Sequence, residues 1–457
     1  MSDDADQQTS MDEIMNGYTG SDGEKEDYSA PDIAGEIPED WEVVTVEDLN
    51  TDLLGGGTPS KSNNEYWDGE IPWASVKDLD GITLSDTEDY ITQEGLDGSA
   101  SNIIPAHSIV ISTRMTVGEP FVNRTEMAIN QDMKGIIPNN NIVNTYYFVY
   151  NLRKKDPYLK SLGRGTTVDG ITTSDLKRTC VELPPLTEQR KIASILYNVD
   201  KVIEKTEEII NQIFRVKKAL TQELFINGYY EHEKLVDAHH RNRLSKHPSE
   251  WQTEPAKKVI DVTRGSHPRP KSDKSLWGGE IPMIKIGDRN RGDSRTITST
   301  EDNVTEKGSN DSKLVDEGTL IVSNAGTVGE ARITGMQACI HDHWLILRNY
   351  EERLNTRYLF HFINWNQEFL EALASGSTVL DLNTDDFRLF DITIPSLDEQ
   401  KKIADILDRL HDQKTASIKY SEQLERLKDG IMQDLLTGKV RTQHRDINVL
   451  PEVEEHG

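Results

Sequence analysis

The sequence predicts an α+β protein: two homologous modules separated by an antiparallel two-helix coiled coil. Three observations predict it. First, the chain repeats itself at an offset of 210–211 residues. LPPLTEQRKIASIL (183–196) returns as IPSLDEQKKIADIL (394–407), WDGEIPW (67–73) as WGGEIPM (277–283), and SIVIST…TVGE (108–119) as TLIVSNAGTVGE (319–330). GTTV (165–168) returns as GSTV (376–379), and Trp41 as Trp251. A period of about half the chain is too long for a solenoid unit, so it marks two copies of one module. Second, short apolar runs broken by turn residues fill each module without β-α-β alternation, which favours α+β. Third, at the end of each module the apolar period changes to three-four spacing.

In chain order, residues 1–35 read as a disordered acidic tail. The first 40 residues hold 13 Asp/Glu against Lys25 and almost no apolar periodicity. Residues 36–185 form the first module. Its strand-like runs are IPWASV (71–76), NIIPAHSIVIS (102–112) and GEPFV (118–122), and a helical stretch is expected around 144–162. Thr173 or Ser174 suits the N-cap of a short helical turn at Asp175–Lys177.

Residues 186–227 form the first long helix. Pro184 and Pro185 bar an earlier start, Thr187 suits the N-cap, Glu188 suits the helix dipole and Gly228 ends the run. Ile192, Ile195, Leu196, Val199, Val202, Ile203, Ile209, Ile210, Ile213, Val216, Leu220 and Leu224 make its apolar stripe. Residues 228–247 read as a polar linker, and 248–395 as the second module. Residues 396–440 hold the second long helix, with a seam from Ile403 to Leu435, more polar at Lys414 and Ser421, closed by Gly438. Residues 441–457 read as a tail. Two wet apolar stripes on helices of about 38 residues are most economically buried against each other. Because the chain runs module, helix, module, helix, the expected pair is an antiparallel rod with a module at each end.

Composition sets further bounds. No apolar run approaches membrane-spanning length, and no charged-then-apolar leader opens the chain, so the reading is cytoplasmic with no membrane partner. Cys180 and Cys339 occupy non-matching places in the repeat, which argues against a shared catalytic thiol. Net charge is −28, of which −12 lies in the first 40 residues. An acidic surface over an ordinary core suggests salt adaptation. No phosphate loop, dinucleotide fingerprint or nucleophile elbow is present.

The paired PL-T/D-EQ-(R/K)KIA-x-IL openings at 184–196 and 395–407, the heptad helices after them, LLTGKV (435–440), the W-x-G-E-IP motifs and the G-(T/S)-TV motifs resemble the specificity subunit of Type I restriction-modification systems. The match covers about residues 36–440. The resemblance implies that each module is a target-recognition domain reading one half of an asymmetric, split sequence in double-stranded DNA, with the helices fixing the spacer. It implies two methyltransferase subunits and restriction/translocase subunits as partners. It also implies no catalysis and no cofactor in this chain, S-adenosylmethionine belonging to the methyltransferase. A protein-binding scaffold with no DNA specificity is the alternative; it explains the rod but not the divergent Arg- and Asn-rich loops.

The DNA-facing candidates are basic and amide groups in turns, since Arg forks onto guanine, amides onto adenine, and Lys onto phosphate. In the second module they are Arg264, His267, Arg269 and Lys271, then Lys285, Arg289, Asn290, Arg291 and Arg295, with Asn324, His341 and Ser377. In the first they are Lys61, Ser75, Lys77, Arg114, Gln131, Arg164 and Thr166. At an offset of 210, Gln131 pairs with His341 and Asp132 with Asp342. His341-Asp342-His343 contains ligand-type residues, but the other repeat reads Gln131-Asp132-Met133, so no metal is expected. Glu188, Gln189, Glu399 and Gln400, at the helix starts, are the partner-binding candidates that the resemblance implies, with local capping as a compatible reading.

Overall fold

The computed structural model describes residues 37–455 except 80, 163–169, 238–240, 245 and 375–380. The acidic tail, Arg164, Thr166 and Ser377 lie outside the described residues. The chain divides into two compact units, one running to Glu207 and resuming at Tyr420, the other being Glu208–Lys419.

Both units hold the same two larger sheets; the second adds a small ladder of Leu235–Asp237 with Lys246–Pro248. In the first, a five-stranded sheet has the order Asp52–Gly55, Met133–Ile137, Ile109–Ser112, Gly118–Asn123, Thr83–Leu84. A four-stranded sheet has the order Asp89–Ile91, Trp67–Ala74, Met127–Ile129, Ile103–Ile104. The second unit repeats them as Asp261–Arg264, Trp344–Arg348, Leu320–Ser323, Ala331–Thr334, Thr296–Ile297, and as Asp302–Val304, Trp277–Ile284, Ala338–Ile340, Lys313–Val315. Parallel pairs (Trp73 with Ala128, Met283 with Cys339) sit among antiparallel ones, and helices segregate from the sheets, as an α+β fold requires. Each module closes on itself: Glu42–Thr45 pairs with Cys180–Leu183, and Gln252–Pro255 with Asp391–Ile394. The closing strand leads directly into the long helix.

The helical stretch expected near 144–162 is two helices, Thr145–Lys154 and Asp156–Leu162. The short helix is Thr173–Arg178, and its cap is Thr172, not Thr173 or Ser174. The Thr172 hydroxyl accepts from the Asp175 amide while the Asp175 carboxylate accepts from Thr172. The first long helix is Leu186–Ile226, and it starts one residue before the expected cap. The carbonyl of Pro185 accepts from the amides of Glu188 and Gln189, which leaves Thr187 inside the first turn. The second is Leu397–Leu436, where the Ser396 hydroxyl accepts from the Glu399 amide. Gly228 and Gly438 follow the two helices at positive φ, 86° and 71°, a conformation that favours glycine after a helix end.

In both units the two helices run antiparallel. In the first, Ile192 and Leu196 share a core with Leu435 and Leu436, while Lys428 Nζ meets Asp200 further along, at 2.5 Å. In the second, Leu224 and Phe225 share a core with Ile403 and Leu407, and Lys217 Nζ lies 3.0 Å from His411 Nδ1. One face of the first helix, residues 196, 199, 203, 206, 210, 213, 217, 220 and 224, is buried or half-buried in unbroken three-four alternation. Val202, Ile209 and Val216 therefore do not belong to the seam; they are exposed, as are Ile418 and Leu427 of the second helix. The expected stripe is too wide because apolar character alone does not separate a heptad seam from its flank.

The linker and the C-terminal tail are not loose. Residues 441–455 fold back on the first module, with Thr442 and Val453 fully buried and the Asn144 amide donating to the Val453 carbonyl. The connector after Gly228 does the same on the second, burying Asn242 and Leu244. Among the described residues no helix is long and apolar enough to cross a membrane.

Candidate nucleic-acid interface

The four partner-binding candidates turn inward and are buried within their own modules. Glu188 is fully buried and accepts from Trp41 Nε1 (3.2 Å), the Arg441 guanidinium (3.1 and 2.7 Å) and the amides of Thr442 and Gln443. Burial would raise this carboxyl, but the Arg441, Thr442 and Trp41 donors outweigh it and hold it below its ordinary value. Glu399 repeats the arrangement with Trp251 Nε1 (3.0 Å), His232 Nε2 (2.9 Å) and the Tyr229 amide. Gln189 accepts from the Asn144 amide and donates to Pro184 and Ile142; Gln400 accepts from the Asn355 amide and donates to Pro395 and Arg353. The Glu-Gln pair thus clamps the module's first tryptophan, an inner helix start and the following chain segment to each long helix. Its side chains present nothing to a partner.

Of the first-module candidates, Lys61, Ser75, Lys77 and Gln131 line one cleft of about 510 Å³, together with Thr58, Trp67 and Trp73; Arg114 lies outside its lining. Trp67 and Trp73 meet edge to face at 5.2 Å on its wall. Ser75 is buried and caps the turn Val76–Asp78, so it shapes the cleft rather than facing out. Lys77 reaches Glu88 and Asp89 at 3.7 Å, while Lys61 and the exposed Arg114 have no ion pair among the described residues. Gly56 and its counterpart Gly265 make this edge possible. A Cβ on either would stand about 2.0–2.3 Å from the backbone oxygen of Asn130 or His341, so only glycine lets the two chain segments cross.

In the second module Arg264, His267, Arg269 and Asp342 line the matching edge. Arg264 forks onto Asp381 at 3.2 Å and donates to the Asp342 carbonyl. Lys285 pairs with Asp302 and lies over the Trp277 ring at 5.0 Å. Arg289 stands 3.8 Å from Glu330, and Arg291 reaches Asp288 and Glu301. Asn290 and Lys271 are exposed. The dense positive loops are therefore largely neutralised by carboxylates. The pairs exposed on both sides, Arg264–Asp381, Lys285–Asp302 and Arg291–Glu301, contribute little, about 0–1 kcal/mol each, so a phosphate can displace the acid. Two candidates are misplaced. Arg295 points to the long helix, bound by Asp408 (2.8 Å) and Asp412 (2.5 Å), and Asn324 is buried with its amide on Asp381. Runs of sequence reveal charge density but not which acids, 117 residues away for Arg295, fold over it.

The expected register at the paired loops is off by one. Met133 pairs with Ser112 as Trp344 pairs with Ser323, and the Asn130 amide donates to Ala74 as the His341 amide donates to Ile284. The offset here is 211, so Asn130 matches His341, Gln131 matches Asp342 and Asp132 matches His343. The ladder, not the shared aspartate, sets the alignment. Across the edge the amide of Gly57 donates to Ile129 as that of Ser266 donates to Ile340, which places Thr58 opposite His267. The first module closes this point with a Thr58–Gln131 hydrogen bond and a Gln131–Asp132 bond of 3.2 Å. The second closes it with stacked imidazoles, His267 on His341, 4.5 Å apart and 8° from parallel. Burial holds His341 at about 4 and lowers His267 as well, so both rings are neutral at pH 7.

Trp67, Trp277, Thr58 and Asp381 were not singled out from sequence. The tryptophans lie inside the repeated W-x-G-E-IP motif, which was a sufficient signal; Asp381 and Thr58 carried none.

Two modules with one topology, each presenting a different set of polar groups at the same sheet edge, define a tandem recognition protein. The comparisons name the class: residues 38–215 and 248–428 match the Type I restriction modification DNA specificity domain, and the chain belongs to that family. Among its relatives, the Type I restriction enzyme MjaIX specificity subunit of Methanocaldococcus jannaschii is 26% identical over 434 residues, spanning 91% of this chain and 97% of that one. The EcoR124I/EcoR124II specificity subunit of Escherichia coli is 34% identical over 160 residues, 34% of this chain and 40% of that one. The fold matches the crystal structure of a Type I restriction-modification S subunit from M. genitalium with a TM-score of 0.57, at 15% identity over 88% of this chain and 96% of that one.

Proposed function

We propose that the two modules read the two unlike halves of a split double-stranded DNA target for a Type I restriction-modification complex. In this reading the chain is not itself an enzyme. It positions two methyltransferase subunits and accepts restriction/translocase subunits, and S-adenosylmethionine is carried by the methyltransferase. The observation that carries the reading is the matched sheet edge: identical ladders hold Thr58, Asn130 and Gln131 in one module and His267, His341 and Asp342 in the other. A fixed frame with exchanged polar groups is what two different half-sites require, whereas a palindrome would need the same groups twice.

In the first module Lys61, Lys77 and Gln131 face the duplex, and the exposed Arg114 adds a fourth candidate. In the second Arg264, Arg269, Lys271, Arg289, Asn290 and Arg291 do so. Arg164, Thr166 and Ser377 remain candidates from the sequence. The test is methylome sequencing of cells carrying the complex with K77A/Q131A or with R289A/R291A. Each pair should relax or abolish one half of the motif and leave the other. A continuous or palindromic motif, or loss of both halves from either pair, would overturn the reading.

A further inference from the structure

We infer that the second module holds a divalent transition-metal site of the zinc class, formed by His267, His341 and Asp342. One potential ligand atom from each of these residues lies within 4.8 Å of the others. Both rings are buried, with side-chain exposures of 7% and 6%, and the carboxylate is half-buried. Nδ1 of His341 is 2.7 Å, and Nδ1 of His267 3.3 Å, from Oδ1 of Asp342. Neither approach has hydrogen-bonding direction, so all three atoms are buried and without a hydrogen-bond partner. Buried polar atoms are almost always satisfied. A neutral imidazole carries its one proton on either nitrogen; with that proton on Nε2, both Nδ1 atoms present lone pairs to the carboxylate, an arrangement a cation would satisfy.

The donor chemistry selects its class. Two imidazoles and a carboxylate suit zinc and its neighbours rather than calcium or magnesium, which take all-oxygen shells. Bonds of about 2.0–2.2 Å place tetrahedral ligand atoms about 3.3–3.6 Å apart; His267 Nδ1 and Asp342 Oδ1 already stand at 3.3 Å, while His341 Nδ1, at 2.7 Å from that oxygen, must open slightly. A shared ion lies in the plane of each imidazole, so its capture turns one ring out of the near-parallel stack. The site has an entry path, because His267 and Asp342 line an open cleft of about 750 Å³. Arg269, 3.8 Å from the other oxygen of Asp342, lowers affinity without blocking a ligand atom. The first module provides the internal contrast. At the three matched positions it has Thr58, Asn130 and Gln131, which satisfy one another or the backbone and offer no comparable ligands. The fold therefore tolerates a metal-free version of this edge. The expectation of no metal rested on the other repeat's lacking these ligands; it lacks them in the ladder's register too, and two unlike modules need not share a site.

The full chain is stripped with chelator, and Zn²⁺ or Co²⁺ alone is added to it and to H267T/H341N/D342Q, which copies the first module's residues. H341N alone is the milder variant. The wild type should bind one more equivalent than either variant, with at least tenfold tighter affinity for that equivalent. Its Co²⁺ complex should show the strong visible absorption of a low-coordinate N/O site, absent from the variants. Equal stoichiometry in all three proteins would mean adventitious ions on other histidines and acids, and would overturn the inference. So would no zinc binding by the wild type, which would leave a proton as the only cation there. Circular dichroism of both variants separates loss of the site from loss of the fold.

Discussion

Replacing Glu188 by glutamine tests the clamp on which the first unit rests. Glu188 Oε2 accepts from Trp41 Nε1 and Arg441, and Oε1 accepts from Arg441 and two backbone amides. An amide keeps one oxygen, so its NH₂ group must face either Trp41 Nε1 or the amides of Thr442 and Gln443, and Arg441 is left with its pair to Asp40 alone. Removing one partner of a buried pair costs about 3–5 kcal/mol; because Arg441 remains 30% exposed, we expect about 2–4 kcal/mol. In a unit of this size each kcal/mol moves Tm by about 2–4 °C, so calorimetry at pH 7 should show a fall of about 4–16 °C. The 441–455 segment should become the first site of proteolysis. The pH dependence carries a sign. The folded carboxyl lies below its ordinary value of 4.5, so its contribution is complete above that value and is lost as pH falls through the depressed one. The difference between E188Q and wild type should therefore shrink in acid. A Tm change below about 2 °C at pH 7, or a difference that widens in acid, would refute the reasoning.

Other outcomes follow from the helix seam. Burial, with Lys414 and Arg295 nearby, pushes Lys217 down to about 8, so the folded state releases this proton before the unfolded state does. Stability should rise from pH 8 towards 10.5 by on the order of 2–3 kcal/mol, and denaturation of K217M should lack that rise; equal slopes would exclude it. Leu424 is 9% exposed and Leu427 54%. L424A should therefore cost about 2 kcal/mol or more and L427A under about 0.5, and equal losses in urea titrations would place the seam elsewhere.

The repeat, the α+β character and both long helices were legible because they depend on local periodicity and on positions that return at a fixed offset. Glu188 and Glu399 were legible as a motif but not in their role, since their donors, Trp41 and Arg441 or Trp251 and His232, lie far away in sequence. The same limit explains Arg295, which reads as a groove-facing arginine until Asp408 and Asp412 fold against it. Resemblance between Gln131-Asp132 and His341-Asp342 suggested a register that the strand ladder shifts by one residue.

Sequence by itself determined that this chain is a duplicated module with heptad helices, because turn chemistry, helix caps and apolar spacing act between near neighbours. Only the tertiary structure decided which charges are already paired, which apolar residues lie inside the seam, and that His267, His341 and Asp342 meet. Those outcomes depend on burial and on distances between segments far apart along the chain, and no local pattern encodes either.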